Sequence, residues 1–270
     1  MTDPTDLRRE VALAISRLRD RAPLVHAITG SATQGLVADG LLAAGARPML
    51  TSTLAEAPTL VRGANSLLVN LGSLSTDARE AAVPTVQQAR ADGIPWVLDP
   101  TAIGVAPIRT PLARELVARR PIAVRGNASE ILALWETDSR YAVRGPDSTA
   151  SPDAAIESAK ALARAHGCVV AVSGPVDVVT DGVQVVRVAN GRSLLTRVSG
   201  TGCLLGALTA ASVVGASSVL GAVVAATALL TCAADRTSAA GPGSFRIELL
   251  DALAEIGPDE VAEAVDLRCE

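Results

Sequence analysis

Gly200-Thr201-Gly202-Cys203-Leu204-Leu205-Gly206 follows an extended run and opens an apolar helical stretch. Glycines at such a junction let backbone N–H groups approach a phosphate, and the helix N-terminus favours its negative charge. The same run also reads as a plain strand-to-helix turn. Asp99-Pro100 ends another apolar run, and Arg125-Gly126-Asn127-Ala128-Ser129-Glu130 follows the next. The N-x-x-E spacing puts an amide and a carboxylate one helical turn apart. Glu130 suits Mg2+, which takes carboxylate and water oxygens together with substrate phosphates. Arg125 suits nucleotide phosphates. Read another way, Asn127 or Ser129 caps the helix and Glu130 occupies its favourable N-terminal end.

Other chemistries find no support. There is no G-x-x-x-x-G-K-[ST] loop, and Lys160 is the sole lysine. A dinucleotide fingerprint needs an acid about 20 residues beyond its glycines, yet none lies between Asp181 and Asp235. His26 and His166 are far apart, with no triad partner nearby, and read as structural.

The elements that must position these groups follow from periodicity. Leu24–Ile28, Pro48–Thr51, Ser66–Leu71, Trp96–Asp99 and Ile122–Arg125 are short apolar runs. Helical patterns intervene at Gln34–Ala44, Thr76–Asp92 and near Leu112–Ala118, the first two stopped by Gly45 and Gly93. Alternation of this kind implies βαβ units and a mostly parallel sheet with helices on both faces. Right-handed crossovers then align the strand C-termini on one edge, where open α/β sheets bind ligands. Asn70, Asp99, Arg125 to Glu130 and Ser173 fall at that edge. Val169–Val172, Val176–Val179, Val183–Val188 and Ser193–Thr196 read as hairpin strands extending the sheet antiparallel, with only helices after them. The absence of repeats or linkers makes residues 1–270 a single domain.

Composition sets further bounds. Hydrophobic residues make up 49% and aromatics 1%, the latter being Trp96, Trp135, Tyr141 and Phe245. A stacking platform for nucleic acid is therefore missing, and the net charge of −4 with scattered arginines offers no basic footprint. Four widely spaced cysteines suit neither a structural zinc site nor a disulfide framework, and point to a reducing cytoplasm. The polar N-terminal residues show no signal-peptide core. Val198 to Ala234 carries no charge. It is rich in small residues and broken near Gly215-Ala216-Ser217-Ser218, so two buried helices explain it better than a membrane span.

In order along the chain, these segments resemble the hydroxyethylthiazole kinase family of the ribokinase-like superfamily. The series runs through Pro23–Thr29, Asp39–Ala46, Val69–Leu74, Leu98–Pro100, Arg125–Ile131, Gly200–Cys203 and Gly241–Phe245. The resemblance implies a three-layer α/β fold and Mg2+-dependent transfer of the ATP γ-phosphoryl group to the alcohol of a thiazole in thiamin salvage. By position, Arg125 and Ser173 would contact ATP, and Asp99 and Glu130 would serve the metal and phosphates. Gly200, Thr201 and Gly202 would form the phosphate loop, while Leu50 and Gly200 would line the thiazole site. Cys203 falls where sugar-kinase relatives carry the aspartate that activates the hydroxyl. A thiol at a helix N-terminus can have a depressed pKa, which would make it a usable base; a small buried hydrophobe is the other reading. The family's usual assembly is a homotrimer with active sites between subunits.

The chain departs from the family pattern at three points. Gly30 replaces the usual asparagine, and Leu50 replaces a methionine of nearly equal volume. The loop usually written Asp-Pro-Val-Gly-Ala-Gly is here Asp99-Pro100-Thr101-Ala102-Ile103-Gly104. These changes leave room for a kinase acting on another heterocyclic alcohol, such as a pyrimidine or pyridine methanol. A non-catalytic binding protein on this fold is the third reading. It has no need of Asp99, Glu130 and Arg125 together.

Overall fold

Strands that are buried on both faces need no polar alternate residues, and the apolar runs of this chain form them. The computed structural model describes residues 3–136 and 151–270. Its sheet contains β1 (Leu24–Ile28), β2 (Arg47–Met49), β3 (Ser66–Asn70), β4 (Trp96–Asp99), β5 (Ala123–Asn127), β6 (Val169–Ser173), β7 (Asp177–Thr180), β8 (Val185–Val188) and β9 (Leu267–Cys269). Their order is β2-β1-β3-β4-β5-β6-β7-β8-β9. Pairing is parallel from β2 through β6 and antiparallel from β6 to β9. This is the expected three-layer arrangement.

Successive strand residues point to opposite faces. Leu68 and Val97 join a core with α1 (Pro4–Arg21), α2 (Gln34–Ala43), α8 (Thr201–Ser212), α9 (Val219–Arg236) and α10 (Pro242–Glu255). Leu67, Val69, Trp96 and Leu98 join the other with α4 (Thr76–Ala91), α5 (Arg109–Val117), α6 (Ala128–Trp135) and α7 (Ile156–His166). Short α3 (Ala57–Leu60) and α11 (Pro258–Ala264) complete the α-helices among the described residues. Trp96 is buried, whereas Trp135, at the end of α6, is 41% exposed.

The uncharged stretch from 198 to 234 forms α8 and α9, separated near Gly215 as expected. Among the described residues α9 is long and apolar enough to cross a membrane, but 83% of it is buried against protein. The N-terminal segment, read only as polar, is α1. Asp3 caps it, and Leu7, Val11, Ala14, Ile15 and Leu18 form a buried stripe.

Two expectations for the later part fail. Ser193–Thr196 is not a strand but part of a 3-10 turn, Ser193–Arg197. Helices do not complete the chain either, because β9 pairs with β8 through Val186↔Cys269 and Val188↔Leu267. The two errors share a cause. The outer edge of β8 is taken by β9, so the 193–197 segment has no edge to join. After Gly191, whose φ is +112°, the chain instead turns away to reach α8.

Candidate active site

The strand C-termini gather the polar groups that the topology leads one to expect. Parallel register sets Asn70 beside Asp99 on β3 and β4, and Asn127 beside Ser173 on β5 and β6. Arg125 stands between the two pairs. Its Nε and Nη2 donate to Ser173 Oγ at 3.2 and 3.0 Å, and its Nη1 lies 3.5 Å from Asp99 Oδ2. Asp99 is fully buried, and burial raises its pKa against the opposing pull of Arg125. Burial also opposes the charge on Arg125, but Asp99 and Glu130 outweigh it and hold the guanidinium above its usual value.

Glu130 lies in the first turn of α6, where both readings of the N-x-x-E spacing meet. Asn127 Oδ1 accepts from Glu130 N at 2.9 Å, and Glu130 Oε2 accepts from Asn127 N at 2.8 Å, forming a reciprocal cap. The remaining oxygen, Oε1, accepts from Ala102 N at 2.7 Å. Capping thus occupies one carboxylate oxygen at the helix end and aims the other at the loop after β4. Burial, and then the nearby charge of Asp99, push the Glu130 carboxyl up to about 7.

The glycine run lies over this cluster. Gly200 holds φ +97° as the residue before α8. A Cβ on Gly202 would sit 2.7 Å from Arg125 Nη1, and one on Gly206 would sit 3.2 Å from Asp99 Oδ2. Two glycines one turn apart thus let the start of α8 close onto the ion pair. Thr201 turns its hydroxyl to Leu195 O at 2.7 Å, and no side chain caps the backbone N–H groups of this first turn.

Cys203 lies in the same turn, but its thiol does not show the depressed pKa expected of a helix N-terminus. Burial, reinforced by the Asp99 carboxylate, pushes it up to about 11, although Thr33 and Asn70 contact the sulfur. At neutral pH it is a protonated hydrogen-bonding group.

Leu50 is the sequence-derived site residue that this cluster does not include. It follows the edge strand β2, half-buried, about 14 Å from β4 at ordinary strand spacing. Just beyond it, Thr51 O accepts from His26 Nε2 at 2.7 Å. Burial lowers the pKa of His26, so this histidine is neutral and structural. At Gly30 any Cβ would collide with the backbone oxygen of Gly72 and lie 2.6 Å from Ser73 Cβ. The 72–73 turn packs directly against Gly30.

Two groups escaped the sequence reading. Asp177, at the start of β7, accepts from Gly174 N at 2.9 Å. It lies close enough to Arg125 for their charges to interact, and burial lifts its pKa to about 6. Its signal was a G-x-x-D turn. Thr101 donates to Asp99 Oδ1 at 2.7 Å and accepts from Asn70 Nδ2 at 3.0 Å.

The cluster also passes a test for Mg2+. Among the described residues no group of three or more His, Cys, Asp and Glu forms a metal cage. Mg2+ beside a nucleotide needs only one or two carboxylates, and Asp99 Oδ2 is buried without a hydrogen-bond partner.

A model of the hydroxyethylthiazole kinase family matches residues 15–259. The chain is 48% identical to hydroxyethylthiazole kinase from Clavibacter sepedonicus over 250 residues, covering 92% of this chain and 90% of that one. It is 44% identical to the enzyme of that name from Tolumonas auensis, covering 94% and 96%. The solved structure of the hydroxyethylthiazole kinase protein from Pyrococcus horikoshii superposes with a TM-score of 0.88 at 32% identity, covering 97% and 99%. Staphylococcus aureus pyridoxal kinase in complex with ADP shares the fold at 16% identity and a TM-score of 0.63. With a matching family model, near-full-length relatives and the edge cluster in agreement, the chain belongs to the hydroxyethylthiazole kinase family.

Proposed function

We propose that this enzyme transfers the γ-phosphoryl group of ATP to the hydroxyl of hydroxyethyl-methylthiazole, the phosphorylation step of thiamin salvage. The observation that carries the reading is the convergence of Asp99, Glu130, Arg125 and Ser173 beneath the glycine-rich start of α8. Phosphoryl transfer relies mainly on positioning and charge stabilisation, and the cluster supplies both. Arg125 and Ser173 hold nucleotide phosphates, and the N–H groups of Thr201, Gly202 and Cys203 face the transferring oxygens. Asp99 and Glu130 would hold Mg2+, which when bound neutralises charge on the phosphoryl oxygens. The protonated Cys203 thiol orients the attacking alcohol. Leu50 and Gly200 line the thiazole site.

The single sheet that contains both β1 and β9 supports treating residues 1–270 as one domain. The four thiols are free, three of them buried, which suits a reducing cytoplasm. We place the enzyme in a homotrimer with active sites between subunits. Exposed Leu42 and Ile247, 59% and 65% accessible, are apolar surface available for such contacts. Light scattering at micromolar concentration should give a trimer mass, and a monomer would remove the inter-subunit site.

An ADP-release assay with thiazole, pyrimidine and pyridine alcohols tests the substrate. The thiazole alcohol should give the highest kcat/KM. A higher value for a pyrimidine or pyridine alcohol would show that the changes at Gly30, Leu50 and Ala102 have redirected the site, and no turnover with any alcohol would refute the kinase reading.

A further inference from the structure

The two carboxylates of the site are held differently. Glu130 is fastened through both oxygens to backbone N–H groups. Asp99 is hydrogen-bonded through one: Oδ1 accepts the Thr101 hydroxyl at 2.7 Å, while Oδ2 is buried without a hydrogen bond and faces Arg125 Nη1 across a 3.5 Å ion pair. A hydroxyl has one hydrogen to give. Thr101 directs it to Asp99 because Asn70 Nδ2 already donates to its oxygen at 3.0 Å. Asn70 is itself held in one orientation. Its Oδ1 accepts from Gly72 N at 3.0 Å and from the Thr29 hydroxyl at 3.3 Å. The direction of each bond from Thr29 to Asp99 is therefore set.

The terminal torsion of an aspartate is broad, so a carboxylate turns unless one oxygen is held. Holding Oδ1 fixes Oδ2 on the side of Arg125 Nη1 and Gly206. Ala102 takes the left-handed conformation, φ +60°, while its N–H holds Glu130.

We infer that Thr101, clamped by Asn70, is a positioning residue for phosphoryl transfer that presents Oδ2 of Asp99 to the nucleotide and its metal. The inference rests on the role given to Asp99 under the proposed function. Thr101 itself touches no substrate.

Two substitutions separate this role from packing. Thr101→Val keeps the shape and loses the hydroxyl, whereas Thr101→Ser keeps the hydroxyl and loses the methyl. For each variant, kcat, both KM values and the Mg2+ concentration at half-maximal rate are measured. A second readout is the rise in melting temperature caused by Mg2+ with ADP, in the absence of any alcohol. The valine variant should lose about tenfold in kcat, as fits one lost hydrogen bond to a charged group. It should also need more Mg2+ and show a smaller Mg2+–ADP shift, with the alcohol KM unmoved. The serine variant should stay within about twofold of the parent in kcat, a sub-kcal/mol change in barrier. A valine variant equal to the parent, or a serine variant as impaired as the valine one, overturns the inference. If the parent turns over none of the alcohols but keeps the Mg2+–ADP shift, the substrate reading fails and the clamp is judged on that shift alone. Loss in valine with retention in serine then upholds it, and any other pattern, including no shift in the parent, overturns it.

Discussion

Replacing Glu130 with glutamine should lower kcat by about a hundredfold or more, the scale seen when one charge-stabilising group is removed from a site. The loss should be partly recovered at high Mg2+ if the carboxylate acts through the metal. Stability should move differently. Burial raises the Glu130 pKa from 4.5 to about 7, so the folded state binds the proton more tightly than the unfolded chain does. That contribution is fully present below pH 4.5 and is lost as pH rises through about 7. The loss amounts to about 3 kcal/mol at most, at 1.36 kcal/mol per pKa unit. Glutamine resembles the protonated acid, so Glu130→Gln should flatten the dependence of melting temperature on pH across this window. It should melt somewhat earlier than the parent at every pH, because its amide keeps one acceptor oxygen and turns an NH2 toward Ala102 N or Asn127 N. Turnover and pH-dependent calorimetry on one preparation check both halves. A variant that melts earlier but keeps normal kcat would confine Glu130 to its role in the α6 cap.

The second large effect concerns Cys203. With its thiol pushed up to about 11, it is a poor base at neutral pH, so Cys203→Ala should lower kcat by only about tenfold, below the usual range for general bases. Cys203→Asp should equal or exceed the parent in kcat, because a carboxylate beside Arg125 can accept the proton that the thiol does not. It should do so with a lower melting temperature in the absence of nucleotide. A second buried carboxylate close to Asp99 costs several kcal/mol when unpaired. Measuring kcat and melting temperature for both variants decides the matter. A fully active alanine variant beside an unstable, inactive aspartate variant would remove Cys203 from the alcohol's path.

The edge of the sheet was legible in the sequence because two local signals suffice for it. Apolar runs mark strands, and crossover handedness puts their C-termini together, so Asn70, Asp99, Arg125, Glu130 and Ser173 group together from the sequence alone. Thr101 and Asp177 were not legible as site residues. Thr101 is oriented by Asn70, 31 positions away, and Asp177 matters through its nearness to Arg125, proximities that only the assembled sheet creates. The Cys203 thiol was misjudged for a related reason. Helix position is local, whereas the burial that dominates its pKa comes from distant segments. Strand β9 was missed because three residues are too few to show a period of two. Its absence from the reading left an open edge on β8, to which Ser193–Thr196 was wrongly assigned.

The scarcity of aromatic rings gives the chain two separable optical reporters. Its indole fluorescence comes from Trp96 and Trp135 alone. Trp96 lies in the core three residues before Asp99, and its emission should be blue. Trp135 reaches solvent at the far end of the helix that begins beside Glu130, and its emission should be red. Changing either to phenylalanine leaves a single emitter, one on the strand carrying Asp99 and the other on the helix carrying Glu130. Stopped-flow mixing of the two variants with nucleotide can therefore time events at each carboxylate without an added label.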